Sequence, residues 1–396
     1  MATHCCLSLA SCTYGNKSFK MNITQETIYA VALTRINHFH LATSLQLYRK
    51  LGSATAIMEH RHDIRAVLPD ASPRLIEAMS DVSSAMRMAE EEIAFDEAHN
   101  IQPLVIGDDN YPERMKECDD APLVLFYRGT ANLNKRRIIS IVGTRHCTVY
   151  GQELIRRFTM DIKNLCPEII IVSGLAYGVD INAHREALRN GIETVGVLAH
   201  GLDYLYPTAH RDTAAEMLSH GGLITEFTTK TNADKRNFVR RNRIIAGLAD
   251  ATILVESASR GGGLITTEIA QGYGRDVFAF PGNVGLPYSE GCNNLIRSNR
   301  AGLITSAKDF VDAMGWNDEA QLAEAKRNGI ERQLFPELDK NESAVVDLLS
   351  RSNDLQVNMI SAQSGLPIGT ATAALFSLEL KGVVKMMAGG VYHLYG

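Results

Sequence analysis

Four short segments combine glycine, cations and one aromatic ring in ways that suit a phosphate chain. The apolar run Ile138–Val142 gives way to Gly143-Thr144-Arg145, and Tyr150-Gly151 opens the next helical pattern. Glycine at a strand end lets backbone approach a ligand, and a helix N-terminus attracts an anion. Arginine adds a fork of donors matched to phosphate. The run Ile169–Val172 ends in Ser173-Gly174-Leu175-Ala176-Tyr177-Gly178-Val179-Asp180, where successive backbone N–H groups can form an anion-binding nest. Asp180 is equally suited to capping the following helix. His184, further along that helix, reads as a packed histidine.

The third segment, Lys235-Arg236-Asn237-Phe238-Val239-Arg240-Arg241-Asn242-Arg243, sets five cations around one aromatic ring. Cations neutralise phosphates, and the ring offers a stacking face for a base. Positive charge at a helix start opposes the macrodipole, so its placement there points to a ligand. The fourth, Arg260-Gly261-Gly262-Gly263-Leu264-Ile265-Thr266-Thr267-Glu268, follows the run Ala251–Val255 and gives a helix N-terminus with little steric obstruction. Pro281-Gly282 and Gly291–Ile296 complete the rim. The pattern lacks G-x-G-x-x-G spacing, a P-loop, a G-x-S-x-G elbow and any metal-ligand cluster. Such a crevice holds a phosphate chain without cutting it, and calls for no catalytic residue, metal or cofactor.

The elements that must position these segments are short Val/Ile/Leu runs alternating with amphipathic helical patterns. Leu104–Ile106, Leu123–Tyr127, Ile138–Val142, Ile169–Val172, Thr194–Leu198, Leu223–Thr225, Ala251–Val255 and Asp276–Phe280 read as strands. Near-continuous apolar strands mean burial on both faces, hence a mostly parallel, doubly wound α/β sheet of extended Rossmann-like type over 101–315. In such a sheet ligands bind beyond the carboxyl ends of the strands. Residues 22–100 read as helical, with Thr24 and Thr27 at one onset, Asp70 and Ser72 bracketing another, Pro73 in a first turn, and one long helix running from there towards Ala98.

Residues 316–337 read as a linker. Beyond them, 338–396 carry helical patterns at Glu342–Ser350, Leu355–Ser364 and Thr370–Leu380, then Val383–Met387, a Gly389-Gly390 turn and Val391–Leu394, as in a winged helix. Residues 1–21 read as an extension without fixed structure.

The chain has 396 residues and a net charge of -5, with acidic residues gathered in Glu90–Asp120 and basic ones in Lys135–Arg157 and Lys230–Arg243. Local patches steer a polyanion more than the sum does. Seven cysteines without paired spacing suit a reducing cytoplasm, and no apolar run approaches the roughly 20 residues that span a bilayer.

Taken together, these motifs resemble the DprA/Smf family from about residue 22 onward, most densely over 138–310. The pattern includes Val142-Gly143-Thr144-Arg145, Ser173-Gly174-Leu175-Ala176, Gly201-Leu202-Asp203 with Tyr206-Pro207, Arg241-Asn242-Arg243-Ile244-Ile245, Gly261–Thr266 and Pro281-Gly282. The resemblance implies a cytoplasmic homodimer that binds single-stranded DNA in a basic pocket, protects incoming strands and loads RecA onto them in natural transformation. It also implies an N-terminal domain of SAM or helix-hairpin-helix kind. By that likeness the strand meets Gly143, Thr144, Arg145, Ser173, Gly174, Lys235, Phe238, Arg241, Asn242, Gly261, Gly262, Gly263 and Thr266. Arg145 and Lys235 would hold phosphate, and Phe238 would stack on a base. Gly263 stands where a serine is common, and His210 where asparagine is usual. Ile36-Asn37-His38-Phe39-His40 lacks the glycines of a helix-hairpin-helix, and Thr370–Leu380 lacks the Lys or Arg that major-groove readout uses.

Two rival classes remain. The Gly261–Glu268 stretch also resembles the loop of nucleoside-monophosphate phosphoribohydrolases, where a glutamate assists cleavage of the sugar–base bond. A protein-binding adaptor with a vestigial crevice is the other.

Overall fold

The computed structural model describes residues 23–39, 41–316, 338–381, 383–387 and 390–394. The extension expected over 1–21, nearly all of the linker expected over 316–337, and Gly389 of the expected turn lie outside these residues. The chain divides into two compact units, Met1–Gly315 and Trp316–Gly396.

The first unit is built on nine strands: β1 Gln102–Val105, β2 Val124–Gly129, β3 Ile138–Val142, β4 Ile170–Ser173, β5 Glu193–Val197, β6 Gly221–Thr225, β7 Ala251–Leu254, β8 Asp276–Ala279 and β9 Gly302–Leu303. Their spatial order is β1-β2-β6-β5-β4-β3-β7-β8-β9. From β3 the chain winds outward through β4, β5 and β6, then crosses back to lay β7 against the other side of β3. Pairs from β6 through to β9 are parallel, while β1–β2 and β2–β6 are antiparallel. This is the expected Rossmann-like sheet, extended by an antiparallel edge. Every residue of β3, β4, β6 and β7 is buried, which is why these strands read as unbroken apolar runs. The winding reverses between β3 and β7, and a crevice opens at that switch point.

Helices at Gln25–Arg35, Leu41–Leu51, Ala54–Glu59, Pro73–Ser80 and Ser83–His99 precede the sheet. Thr24 and Thr27 form a reciprocal capping box, and Ser72 caps the helix that Pro73 begins. The single long helix expected from Pro73 to Ala98 is in fact two. It breaks at Asp81, which ends the first helix and whose carboxylate accepts the Ser83 N–H at 3.0 Å where the second begins. Leu33, Leu47, Ile57 and Met79 share one apolar core with Leu104 of β1 and Leu125 of β2.

The second unit is a winged helix. Helices Lys340–Arg351, Val357–Ser364 and Ile368–Leu380 pack around Val345, Leu349, Ile360 and Leu375. Strands β10 Leu355–Gln356, β11 Val384–Met387 and β12 Val391–Leu394 form an antiparallel sheet with β12 central. Leu355 and Gln356, expected to open a helix, instead pair with Tyr392 and Val391. Among the described residues, no helix is long and apolar enough to cross a membrane.

Candidate nucleic-acid interface

The crevice at the switch point is a cavity of about 700 Å³. Its walls come from the loops after β3, β4, β7 and β8 and from the helix Lys235–Gly247, so segments more than a hundred residues apart meet there. Of the thirteen residues expected at the site, eleven line it: Gly143, Thr144 and Arg145; Lys235, Phe238, Arg241 and Asn242; Gly261, Gly262, Gly263 and Thr266.

Backbone bonds set the position of Arg145. The Thr144 N–H donates to the Glu256 carbonyl at 2.7 Å, and the Thr144 carbonyl accepts from Val179 N–H at 3.0 Å. The loop after β3 is therefore tied to the segment just past β7 and to the start of the helix Val179–Arg189 that follows β4. Gly178, at φ +79°, lies so close beneath it that a side chain there would strike the Thr144 and Arg145 backbone. Arg145 projects from this fixed loop, exposed, with its guanidinium carbon 5.0 Å from the centre of the Phe238 ring. Phe238 is half-buried, and Lys235 is exposed one helical turn earlier. Asp234 caps that helix through the Asn237 N–H at 2.8 Å, giving its cationic first turn a compensating carboxylate.

The five cations of this helix differ in burial and in partner. Arg240 and Arg243 both reach the Glu226 carboxylate, at 2.7 and 2.6 Å. Arg241 is buried, donates to the Val197 carbonyl at 2.6 Å, and faces the buried Asp180. Burial pulls the Arg241 guanidinium down to about 10 and pushes the Asp180 carboxyl up, and each group's charge opposes the other's shift. Lys235 and Arg236 remain exposed at the helix start.

Ser173 and Gly174 do not line the cavity. The Ser173 hydroxyl is buried and donates to the Ile141 carbonyl at 2.6 Å, bridging β4 to β3. Gly174 leaves the space filled by the Arg241 guanidinium, which any side chain there would strike. Both residues build the floor beneath the site. His184 is fully buried with Nδ1 2.7 Å from the Thr194 hydroxyl, and burial holds its imidazole down near 3, so it is neutral. His210 is buried too, its Nδ1 2.8 Å from the Leu175 carbonyl.

The glycine loop after β7 ends in the helix Gly262–Gly272, which has no side-chain cap, so its first N–H groups are left for another acceptor. Gly262 has open space where a side chain would stand. Gly263 serves packing, since a Cβ there would come within 2.8 Å of Leu254 and 3.1 Å of the Gly143 Cα. Glu268, the glutamate of the phosphoribohydrolase-like reading, is not among the cavity residues. Its side chain is 72 % exposed, 3.8 Å from Arg300. Three cavity residues were not singled out from sequence, His146, Ala258 and Tyr288, two of them aromatic rings. Tyr288 lies beyond β8 in a stretch with no glycine–cation motif, and only its place six residues after Gly282 hints at the rim.

Fold and site define a two-unit protein, a Rossmann-like α/β unit with a basic, glycine-lined crevice at its switch point and a winged helix. Residues 102–315 match the family described as DNA recombination-mediator protein A, and residues 331–390 match the DprA winged helix domain. The chain belongs to the DprA/Smf family of DNA processing proteins. It is 40 % identical over 206 residues to the DNA processing protein DprA of Streptococcus pneumoniae, covering 52 % of this chain and 72 % of that one. It is 30 % identical over 344 residues to the protein Smf of Escherichia coli, covering 85 % and 89 %. The X-ray structure of the Streptococcus pneumoniae DNA processing protein A superimposes with a TM-score of 0.61 at 32 % identity, over 74 % of this chain and 98 % of that one.

Proposed function

We propose that this chain binds single-stranded DNA in the switch-point cavity, shields incoming strands and passes them to a RecA recombinase, acting in the cytoplasm as a homodimer without turning over a substrate. The observation that carries the reading is the Arg145–Phe238 contact, beside Lys235 and the uncapped glycine helix start. Cation, ring and free N–H groups are what a phosphate–sugar–base repeat offers partners for. The RecA and homodimer parts rest on membership of the family.

Binding a labelled oligonucleotide, followed by assembly of RecA on the same strand, tests the reading. The expected result is salt-sensitive binding by wild type and faster RecA assembly than on strand coated with single-strand binding protein alone. The rival enzyme would release free base from nucleoside monophosphates and lose that activity in Glu268→Gln, which would overturn the proposal. The exposed position of Glu268 speaks against it.

A further inference from the structure

The cavity has a second aromatic wall. The His146 and Tyr288 rings lie 5.9 Å apart, centre to centre, with 15° between their planes, an offset stack. Both line the cavity, His146 exposed and Tyr288 half-buried, so the pair is not core packing. The Tyr288 carbonyl accepts the Ser257 N–H at 2.7 Å, which ties the loop after β8 to the loop after β7. Arg145 and His146 are consecutive, yet their side chains serve two different rings. Arg145 covers Phe238, and His146 covers Tyr288. Because their loop is pinned at Thr144 from both sides, the two aromatic platforms are held in a fixed relation.

A lone phosphate and one ring need neither a second platform nor a cavity of about 700 Å³. We infer that Tyr288, with His146 stacked on it, is a second base platform, so that the cavity takes a dinucleotide step. One base stacks on Phe238 and its neighbour on Tyr288, and the phosphate joining them meets Arg145 and the N–H groups at the start of the Gly262–Gly272 helix. Stacking on ring faces tolerates any base, as suits a protein that accepts strands of arbitrary sequence. This inference rests on the single-strand binding proposed above.

The test uses the full chain and a dye-labelled oligonucleotide, displaced by a mononucleotide or by the matching dinucleotide. Wild type is expected to prefer the dinucleotide. Tyr288→Ala should lose most of that preference and bind the oligonucleotide roughly 10-fold more weakly, with its salt slope unchanged because no charge is lost. Tyr288→Phe should behave as wild type. If Tyr288→Ala folds poorly, His146→Ala, at an exposed position, carries the same test in the same direction. Wild-type affinity and preference in these variants, while Arg145→Ala and Phe238→Ala bind weakly, would overturn the inference and leave the site standing. If Arg145→Ala and Phe238→Ala also bind normally, the cavity is not the DNA site and both readings fall.

Discussion

Arg145 and Arg241 approach the same ring from different environments. Their guanidinium carbons lie 5.0 and 5.7 Å from the Phe238 centre, but Arg145 is exposed while Arg241 is buried against Asp180 and the Val197 carbonyl. The first can meet a ligand with its full charge. The second holds the floor of the crevice.

Arg241→Ala should therefore act through stability. Losing Arg241 removes the donor to the Val197 carbonyl and the positive charge that opposes the upward shift of Asp180, a loss of about 1–3 kcal/mol. Urea unfolding should show a lowered midpoint, with Gly174→Ala destabilised at the same contact. Arg145→Ala should unfold like wild type.

Neighbouring glycines should separate in the same way. Gly262→Ala meets nothing in the free protein, so its melting temperature should stay near wild type while oligonucleotide affinity falls as the methyl crowds the phosphate approach. Gly263→Ala presses on Leu254 and on the Gly143 backbone, and should lose about 1–3 kcal/mol of stability. Thermal melts and binding curves on both variants separate the two roles.

Asp96, which does not line the cavity, supplies a pH dependence of its own. It is buried on the helix Ser83–His99, one carboxylate oxygen lacks a hydrogen-bond partner, and burial followed by the nearby Glu92 raises its pKa to about 9. An unfolded aspartate ionises near 4, so the folded chain binds more protons between those values. Stability from this group is thus complete below about pH 4 and is lost as pH rises towards about 9. Asp96→Asn should flatten that decline and gain on the order of 1–3 kcal/mol at pH 8, read from urea midpoints at pH 5 and pH 8.

Much of the fold was legible because burial on both faces writes strands as plain apolar runs. The exceptions have local causes. β9, Gly302–Leu303, is two residues long and exposed, so no pattern marks it. Leu355–Gln356 was absorbed into the helix that follows because its pairing with β12 is set by residues more than thirty positions away. In the site, glycines and cations announced themselves by type, but their burial did not. Arg241 and Ser173 have the chemistry of ligand contacts and spend it inside the protein. Tyr288 and His146 come together only once β3 and β8 take their places in the sheet.

The most direct measurement is the salt dependence of single-stranded oligonucleotide binding by wild type, Arg145→Ala, Lys235→Ala and Phe238→Ala. The two cation variants should bind more weakly, each with a log–log salt slope shallower by about 0.7. Phe238→Ala should lose affinity with its slope unchanged. Binding indistinguishable from wild type in all three variants at moderate salt would contradict the assignment of this cavity to DNA.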